Sequence, residues 1–265
     1  MARERLKGKN IVITGASGGI GAEIAKLCAA SGANLVLLAR SIDKLRQLES
    51  ELEQKHGVNV EVFQLNVANT DQVREVFDQI FRVIGDIDIL VNNAGFGVFR
   101  EAHEARMDEI KGMFEVNVVG LMACTSMVLP QMRERHFGHI INIASQAGKI
   151  ATPKSSVYSA TKHAVLGYSN ALRMEVDHFN IQVTTVNPGP IATNFFNIAD
   201  EKGTYVKNVQ GFMLQPEFVA RKVVDSMLTK TREINLPRWM NMGSAIYVLF
   251  PRLFERIGKK VLNKK

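Results

Sequence analysis

The stretch SSVYSATKHAV, residues 155–165, sets Tyr158 four residues ahead of Lys162. At helical pitch the two side chains lie on one face, a turn apart. A phenol is a proton donor, and an ammonium beside it favours the phenolate, which brings proton transfer toward neutral pH. The spacing also fits a surface helix with an exposed lysine and a half-buried tyrosine, so the rest of the chain must decide. Ser145 stands thirteen residues before Tyr158 and offers a hydroxyl. Asn117, in NVVG, is a polar residue inside a long helical pattern, where it costs propensity and calls for a polar contact or a backbone irregularity.

Other loops offer groups of a second kind. TGASGGIG, residues 14–21, is a glycine-rich turn between a strand and a helix. Glycines at such a turn let backbone N–H groups approach a pyrophosphate, and the helix N-terminus adds the positive end of its dipole. After the second strand come Ala39, Arg40 and Ser41, where a dinucleotide fold faces the adenosine ribose. An acid there would grip two ribose hydroxyls. A guanidinium after a small neutral residue favours a 2′-phosphate, so the cofactor expected is NADP(H) rather than NAD(H). NNAG, residues 92–95, suits close backbone contact with a nucleotide, and NPGPIAT, residues 187–193, turns at Pro188 and Gly189 and offers the Thr193 hydroxyl.

These loops must be held by an ordered scaffold. Apolar runs NIVITG, ANLVLLAR, VNVEVFQLNV, IDILVNNAG, HIINIAS, IQVTTVNPG and REINLP read as strands. Between them lie helical patterns: GAEIAKLCAASG, then residues 42–56, 70–84, about 104–135, about 153–179 and 216–230, the last opened by Pro216. Alternation of this kind, with strands apolar throughout, predicts a single α/β Rossmann-type domain. Its doubly wound parallel sheet has about seven strands with helices on both faces. Ligands of such sheets bind beyond the carboxyl ends of the strands, where all the loops above lie.

Taken together, the order and spacing of Thr14–Gly21, NNAG, Asn117, Ser145, Tyr158-x-x-x-Lys162 and Pro188-Gly189 resemble the short-chain dehydrogenase/reductase family over residues 8 to about 236. The resemblance implies an oxidoreductase that interconverts a carbonyl compound and its secondary alcohol. It implies Tyr158 as general acid or base, Lys162 on the nicotinamide ribose, Ser145 on the substrate oxygen and Asn117 holding a proton-relaying water. Cofactor contacts are implied at Gly15, Ser17, Gly19, Ile20, Arg40, Ser41, Asn66, Val67, Asn93, Gly95, Tyr158, Lys162, Pro188, Gly189, Ile191 and Thr193, the last on the nicotinamide carboxamide. Asn66 departs from the acid often found after the third strand, though its amide oxygen can still accept from an adenine amino group. The resemblance also implies a homodimer or homotetramer, paired through the two long helices. A non-catalytic NADP(H)-binding regulatory protein on the same fold is the competing function.

The 265 residues, 46% hydrophobic and 22% charged, suit one large soluble domain. Residues 1–236 are read as the cofactor-binding domain with a substrate loop at 190–215, and 237–265 as a basic amphipathic extension. Cys28 and Cys124 sit in apolar helical patterns without metal-ligand or disulfide spacing, so no metal is expected and a cytoplasmic setting is. The start lacks the apolar core of a signal peptide, and no uninterrupted apolar run approaches the roughly 18 residues of a membrane span. The net charge is +7, of which residues 238–265 contribute +6 and residues 1–10 contribute +3, leaving −2 for the rest. The body of the protein is therefore no surface for nucleic acid. Phe195, Phe196, Tyr205, Phe212, Met213 and Leu214 are candidates for an apolar pocket, which favours a lipid-like, 3-oxoacyl or steroid-like ketone over a sugar. In the tail, Ile246, Phe250, Phe254, Ile257 and Val261 form one helical stripe with Leu253 beside it. Pro251 would divide any continuous helix. Such a helix can lie on an anionic membrane, pack on its own domain, cover the site or contact another subunit.

Overall fold

The computed structural model describes residues 2–200, 204–252 and 255–256. Seven strands are present: β1 (Asn10–Thr14), β2 (Asn34–Ala39), β3 (Val60–Gln64), β4 (Ile89–Asn92), β5 (Gly138–Ile143), β6 (Ile181–Pro188) and β7 (Glu233–Leu236). The helices are α1 (Ala2–Leu6), α2 (Gly19–Ala30), α3 (Ile42–His56), α4 (Thr70–Ile84), α5 (Met107–Phe114), α6 (Leu121–Arg135), α7 (Ser156–Val176), α8 (Phe195–Ala199), α9 (Thr204–Val209), α10 (Pro216–Ser226) and α11 (Met240–Leu249). The strands form one parallel sheet in the order β3-β2-β1-β4-β5-β6-β7. Strand order reverses between β1 and β4, which opens a crevice at their carboxyl ends.

Period-two alternation divides the core. Ile11, Ile13, Leu35 and Leu37 face α2, α3 and α10 through Ile24, Leu45, Leu52 and Val219. Val12, Val36 and Leu38 face the other way, onto Phe77, Ile80, Cys124, Val128 and Leu172 of α4, α6 and α7. Met107–Glu134 has the length and hydropathy of a membrane span, yet Cys124, Val128 and Met132 are buried against the sheet. Both thiols are buried and free, and burial pushes Cys124 up to about 12 and Cys28 higher still.

The structure refines several sequence boundaries. The basic lead forms a one-turn helix, α1, whose Leu6 is buried. The helix expected to end at Gly32 stops at Ala30, and Gly32 takes φ +79 to turn into β2. α7 starts at Ser156 rather than 153, and residues 177–179 form a 3₁₀ turn. α10 ends at Ser226 because Leu228, with φ +56, turns the chain toward β7. The region read as one helix over 104–135 is broken by a π-helical turn, Glu115–Gly120, with Asn117 inside it. Sequence period alone does not distinguish a π turn from an α turn within one apolar run.

Buried polar groups tie layers together. Asn92 Nδ2 donates to Thr125 Oγ1 (3.0 Å) and Asn142 Oδ1 (2.9 Å), and Asn142 Nδ2 donates to Ser169 Oγ (2.9 Å), locking α6 and α7 onto β4 and β5. His139 is fully buried in β5. Its Nδ1 accepts the Leu228 N–H at 2.8 Å, so Nε2 carries the proton and donates to Thr184 Oγ1 at 2.8 Å. Burial lowers its pKa from 6.5 to about 3. The native state thus holds the ring neutral while the unfolded chain protonates it below about pH 6.5. Stability is lost as pH falls from about 6.5 toward 3. Between pH 6.5 and 5 the loss is about 2 kcal/mol, a few degrees of unfolding temperature in a domain of this size. Thermal melts across that range should show this slope in the native chain and a flatter one in His139→Gln; equal slopes would contradict the assignment.

Candidate active site

The candidate site is a cleft of about 520 Å³ along the carboxyl ends of the strands. Thr14 ends β1, and its Oγ1 accepts the N–H groups of both Asn93 and Ala94 (3.0 Å each). The Asn93 amide donates to the carbonyls of Thr14 and Gly15 (3.0 Å each). These bonds staple the glycine turn to the loop after β4. Two glycines of the turn are sterically required. Gly15 has φ +67, and a methyl group on Gly21 would lie 2.4 Å from the Gly15 carbonyl oxygen. Gly18 has open space where a side chain would be, and Gly19, with φ +54, faces Thr193. A cradle of bare backbone at the start of α2 therefore fits a pyrophosphate.

Gly15, Ser17, Gly19, Ile20, Arg40, Ser41, Asn66, Val67, Asn93, Gly95, Ser145, Tyr158, Lys162, Pro188, Gly189, Ile191 and Thr193 all line this cleft. Asn117 does not. It is buried behind the wall, where Oδ1 accepts the Phe96 N–H (2.9 Å) and Nδ2 donates to the Phe96 carbonyl (2.8 Å) and Thr161 Oγ1 (3.1 Å). Its side chain fixes the Gly95–Phe96 backbone rather than facing the cleft. Asn66 Oδ1 accepts the Ala68 N–H at 3.2 Å, an Asx turn that uses one of its two lone pairs.

Lys162 and Tyr158 share the buried first turns of α7, with Lys162 Nζ 5.7 Å from the Tyr158 ring centre. Nζ donates to the Ile143 carbonyl at the end of β5 (2.9 Å), and among the described residues no carboxylate pairs with it. Burial lowers its pKa from 10.5 to about 8, so it remains largely an ammonium at neutral pH. Ser145 Oγ accepts the Ala147 N–H at 3.0 Å, and its own bond to the Pro188 carbonyl is long, 3.4 Å. The serine proton is thus weakly held and available to an oxygen in the cleft.

Around Tyr158 the wall is aromatic. Phe99 and Phe195 lie 6.0 and 5.7 Å from its ring centre, and Phe196 lies 5.4 Å from Phe195. Phe195 and Phe196 occupy the pocket, as the sequence suggested. Phe212, Met213 and Leu214 do not: Leu214 pairs with Ile191 and packs on the core, while Phe212 stacks edge-on against Trp239 outside. The Tyr205 side chain lies outside the described residues, as do Leu253, Phe254, Ile257 and Val261 of the tail stripe.

Some lining residues escaped the sequence reading. Lys44 joins Arg40 at the edge of the cleft, a second cation whose signal was its place in the first turn of α3. Phe99 had none, because six residues of irregular chain separate it from β4. Gln146 is buried beside Ser145, its amide donating to the Asn187 carbonyl (3.0 Å), and Asn187 donates to Asn235 Oδ1 (2.8 Å). That chain fixes the serine loop to β6 and β7. Among the described residues no group of three His, Cys, Asp or Glu could hold a metal ion.

The short chain dehydrogenase family profile matches residues 9–203. The mouse protein dehydrogenase/reductase SDR family member 7B is 35% identical over 263 residues, covering 95% of this chain and 80% of that protein. An alcohol dehydrogenase of the archaeon Thermococcus sibiricus, solved with 5-hydroxy-NADP, superposes with a TM-score of 0.79 at 29% identity, over 87% of this chain and 96% of that one. A short chain dehydrogenase/reductase of Burkholderia phymatum, solved with NAD, gives a TM-score of 0.86 over 94% and 95% of the two chains. At 23% identity that last likeness is one of fold.

Lys162 is costly in the cofactor-free fold. Its lowered pKa means the unfolded chain holds this proton more tightly, so the cost is full below about pH 8 and disappears as pH rises from about 8 to 10.5. Lys162→Met should therefore raise the cofactor-free melting point at pH 7, by an amount equivalent to about 2 kcal/mol. A lower melting point would show that the amine stabilises the fold.

Proposed function

We propose, from the premise that the chain belongs to the short-chain dehydrogenase family, that it is an oxidoreductase interconverting an apolar carbonyl compound and its secondary alcohol with NADP(H). The observation that carries this reading is one cleft holding Tyr158 beside a buried Lys162 amine together with a pair of cations, Arg40 and Lys44. β2 and β5 stand three strand spacings apart, about 14 Å, a span suited to an extended dinucleotide.

The residues would divide the work as follows. The glycine turn and Asn93 hold the pyrophosphate half, Arg40 and Lys44 meet the 2′-phosphate, and Lys162 and Thr193 orient the nicotinamide half. When bound, the nicotinamide supplies the hydride in reduction and accepts it in oxidation. Ser145 Oγ donates to the carbonyl oxygen. Tyr158 Oη gives that oxygen its proton as charge develops, and the Lys162 ammonium supports the resulting phenolate. With the Asn117 side chain spent on Phe96 and Thr161, a water-holding role falls to its backbone in the π turn, where the α-helical hydrogen-bond pattern is broken. Phe99, Phe195 and Phe196 favour an apolar substituent on the substrate.

Two substitutions test the assignment. Tyr158→Phe should abolish turnover of apolar ketones while cofactor binding, followed by thermal shift, stays near normal. Turnover within tenfold of the native chain would defeat the general-acid role. Arg40→Ala should weaken NADPH roughly tenfold or more, as expected for a charge-assisted bond, and NADH little. Equal losses would argue against the 2′-phosphate contact.

A further inference from the structure

The helix α11 leaves most of its apolar side chains outside the core. Its ten residues, Met240–Leu249, carry no charged side chain, yet the face it turns inward is Met240, Gly243, Ser244 and Tyr247, of which Ser244 alone is buried, 9% exposed and donating to the Asn241 carbonyl (2.9 Å). The apolar stripe points to solvent. Met242 (71%), Ile246 (43%), Leu249 (70%) and Phe250 (58%) recur at helical spacing, with Trp239 (61%) one turn before them. An outward stripe of this kind on a water-soluble surface marks an interaction site.

Charge decides between occupants. Arg238 precedes the stripe, and Arg252 and Arg256 follow it, all exposed. By sequence, residues 238–265 carry +6. A second copy docking on this face by a two-fold axis would set one such basic segment against another. An anionic phospholipid surface is complementary to both the apolar stripe and the charge. At about 15 Å the helix is too short to span a bilayer, so it would lie in the interface, where a Trp at its edge is well placed.

The stripe adjoins the cleft. Met240, at the start of the helix, lines it, and Gly243 sits over Ile150, another lining residue. We propose that α11 and its flanking arginines seat the protein on an anionic lipid bilayer with the mouth of the cleft against the membrane. An apolar substrate would then pass from the lipid into the site without crossing water.

The chain has a single tryptophan, Trp239, so the experiment reads the stripe directly. Full-length protein is mixed with vesicles of phosphatidylcholine alone or of phosphatidylcholine with phosphatidylserine, at low and high salt, and followed by sedimentation and tryptophan emission. The expected result is a blue shift and co-sedimentation with anionic vesicles, roughly tenfold tighter than with neutral ones and weakened by salt. Met242→Glu/Leu249→Glu should lose binding while cofactor binding persists, and Arg252→Glu/Arg256→Glu should lose the preference for anionic lipid. No binding at low salt would overturn the proposal. So would a tryptophan shift that follows protein concentration without lipid and accompanies a dimer in sedimentation velocity, because a second copy would then cover the stripe.

Discussion

A buried amine with no counter-ion among the described residues is the constraint on which the rest of the site depends. Lys162 gives up water for a hydrogen bond to the Ile143 carbonyl, a weak return for an ion's hydration. It stays charged at pH 7 because burial lowers its pKa only to about 8, and it lies 5.7 Å from the centre of a phenol ring and lines the cleft. To hold it, the fold must fix α7 above β5 and keep the loop after β4 close. The Asn92–Asn142–Ser169 bonds do the first. Asn117 does the second through Phe96, from a π turn that places its amide behind Gly95. A side chain at Gly95 would press on the Asn117 amide oxygen at 3.1 Å, so the floor of the site must be bare backbone.

The two ends of the cleft use different physics. On the proposed reading, the glycine turn recognises its ligand through backbone N–H groups held in place by the bonds of Thr14 and Asn93. At its edge, Arg40 and Lys44 would act on the proposed 2′-phosphate through charge on long side chains, a contact that salt weakens. Between them the sheet is stiff: His139, neutral and bonded on both ring nitrogens, clips β5 to β6 and to the turn before β7. Stability is thus built into the sheet and spent at Lys162, as expected where a strained or desolvated group serves function.

Much of this was legible in the residues. All seven strands follow from apolar, β-branched runs, because a sheet covered on both faces demands them. The glycine turn, Arg40, Ser145, Tyr158 and Lys162 were legible because each stands just after a strand or at a fixed helical spacing, and all five reach one cleft. What stayed hidden depends on long-range geometry. Phe99 comes from irregular chain, and Phe212 reads like Phe195 until the fold turns one outward and the other in. In α11 the stripe through Ile246 and Phe250 was legible, but which way it faces was not. Period alone left the stripe free to face core, membrane or another subunit, and only packing turns Ser244 inward and Ile246 and Phe250 out.

The central claim is that Tyr158 and Lys162 serve a hydride transfer to a carbonyl carbon. Its most direct test is a single turnover with NADPH carrying deuterium at both positions of nicotinamide C4 and an apolar ketone, with the product alcohol read by mass spectrometry. The account predicts one deuterium on the former carbonyl carbon and a slower turnover than with unlabelled cofactor. Bound NADPH with no labelled alcohol from any apolar ketone or aldehyde would contradict it, and would leave the chain a nucleotide-binding protein whose buried amine serves something other than reduction.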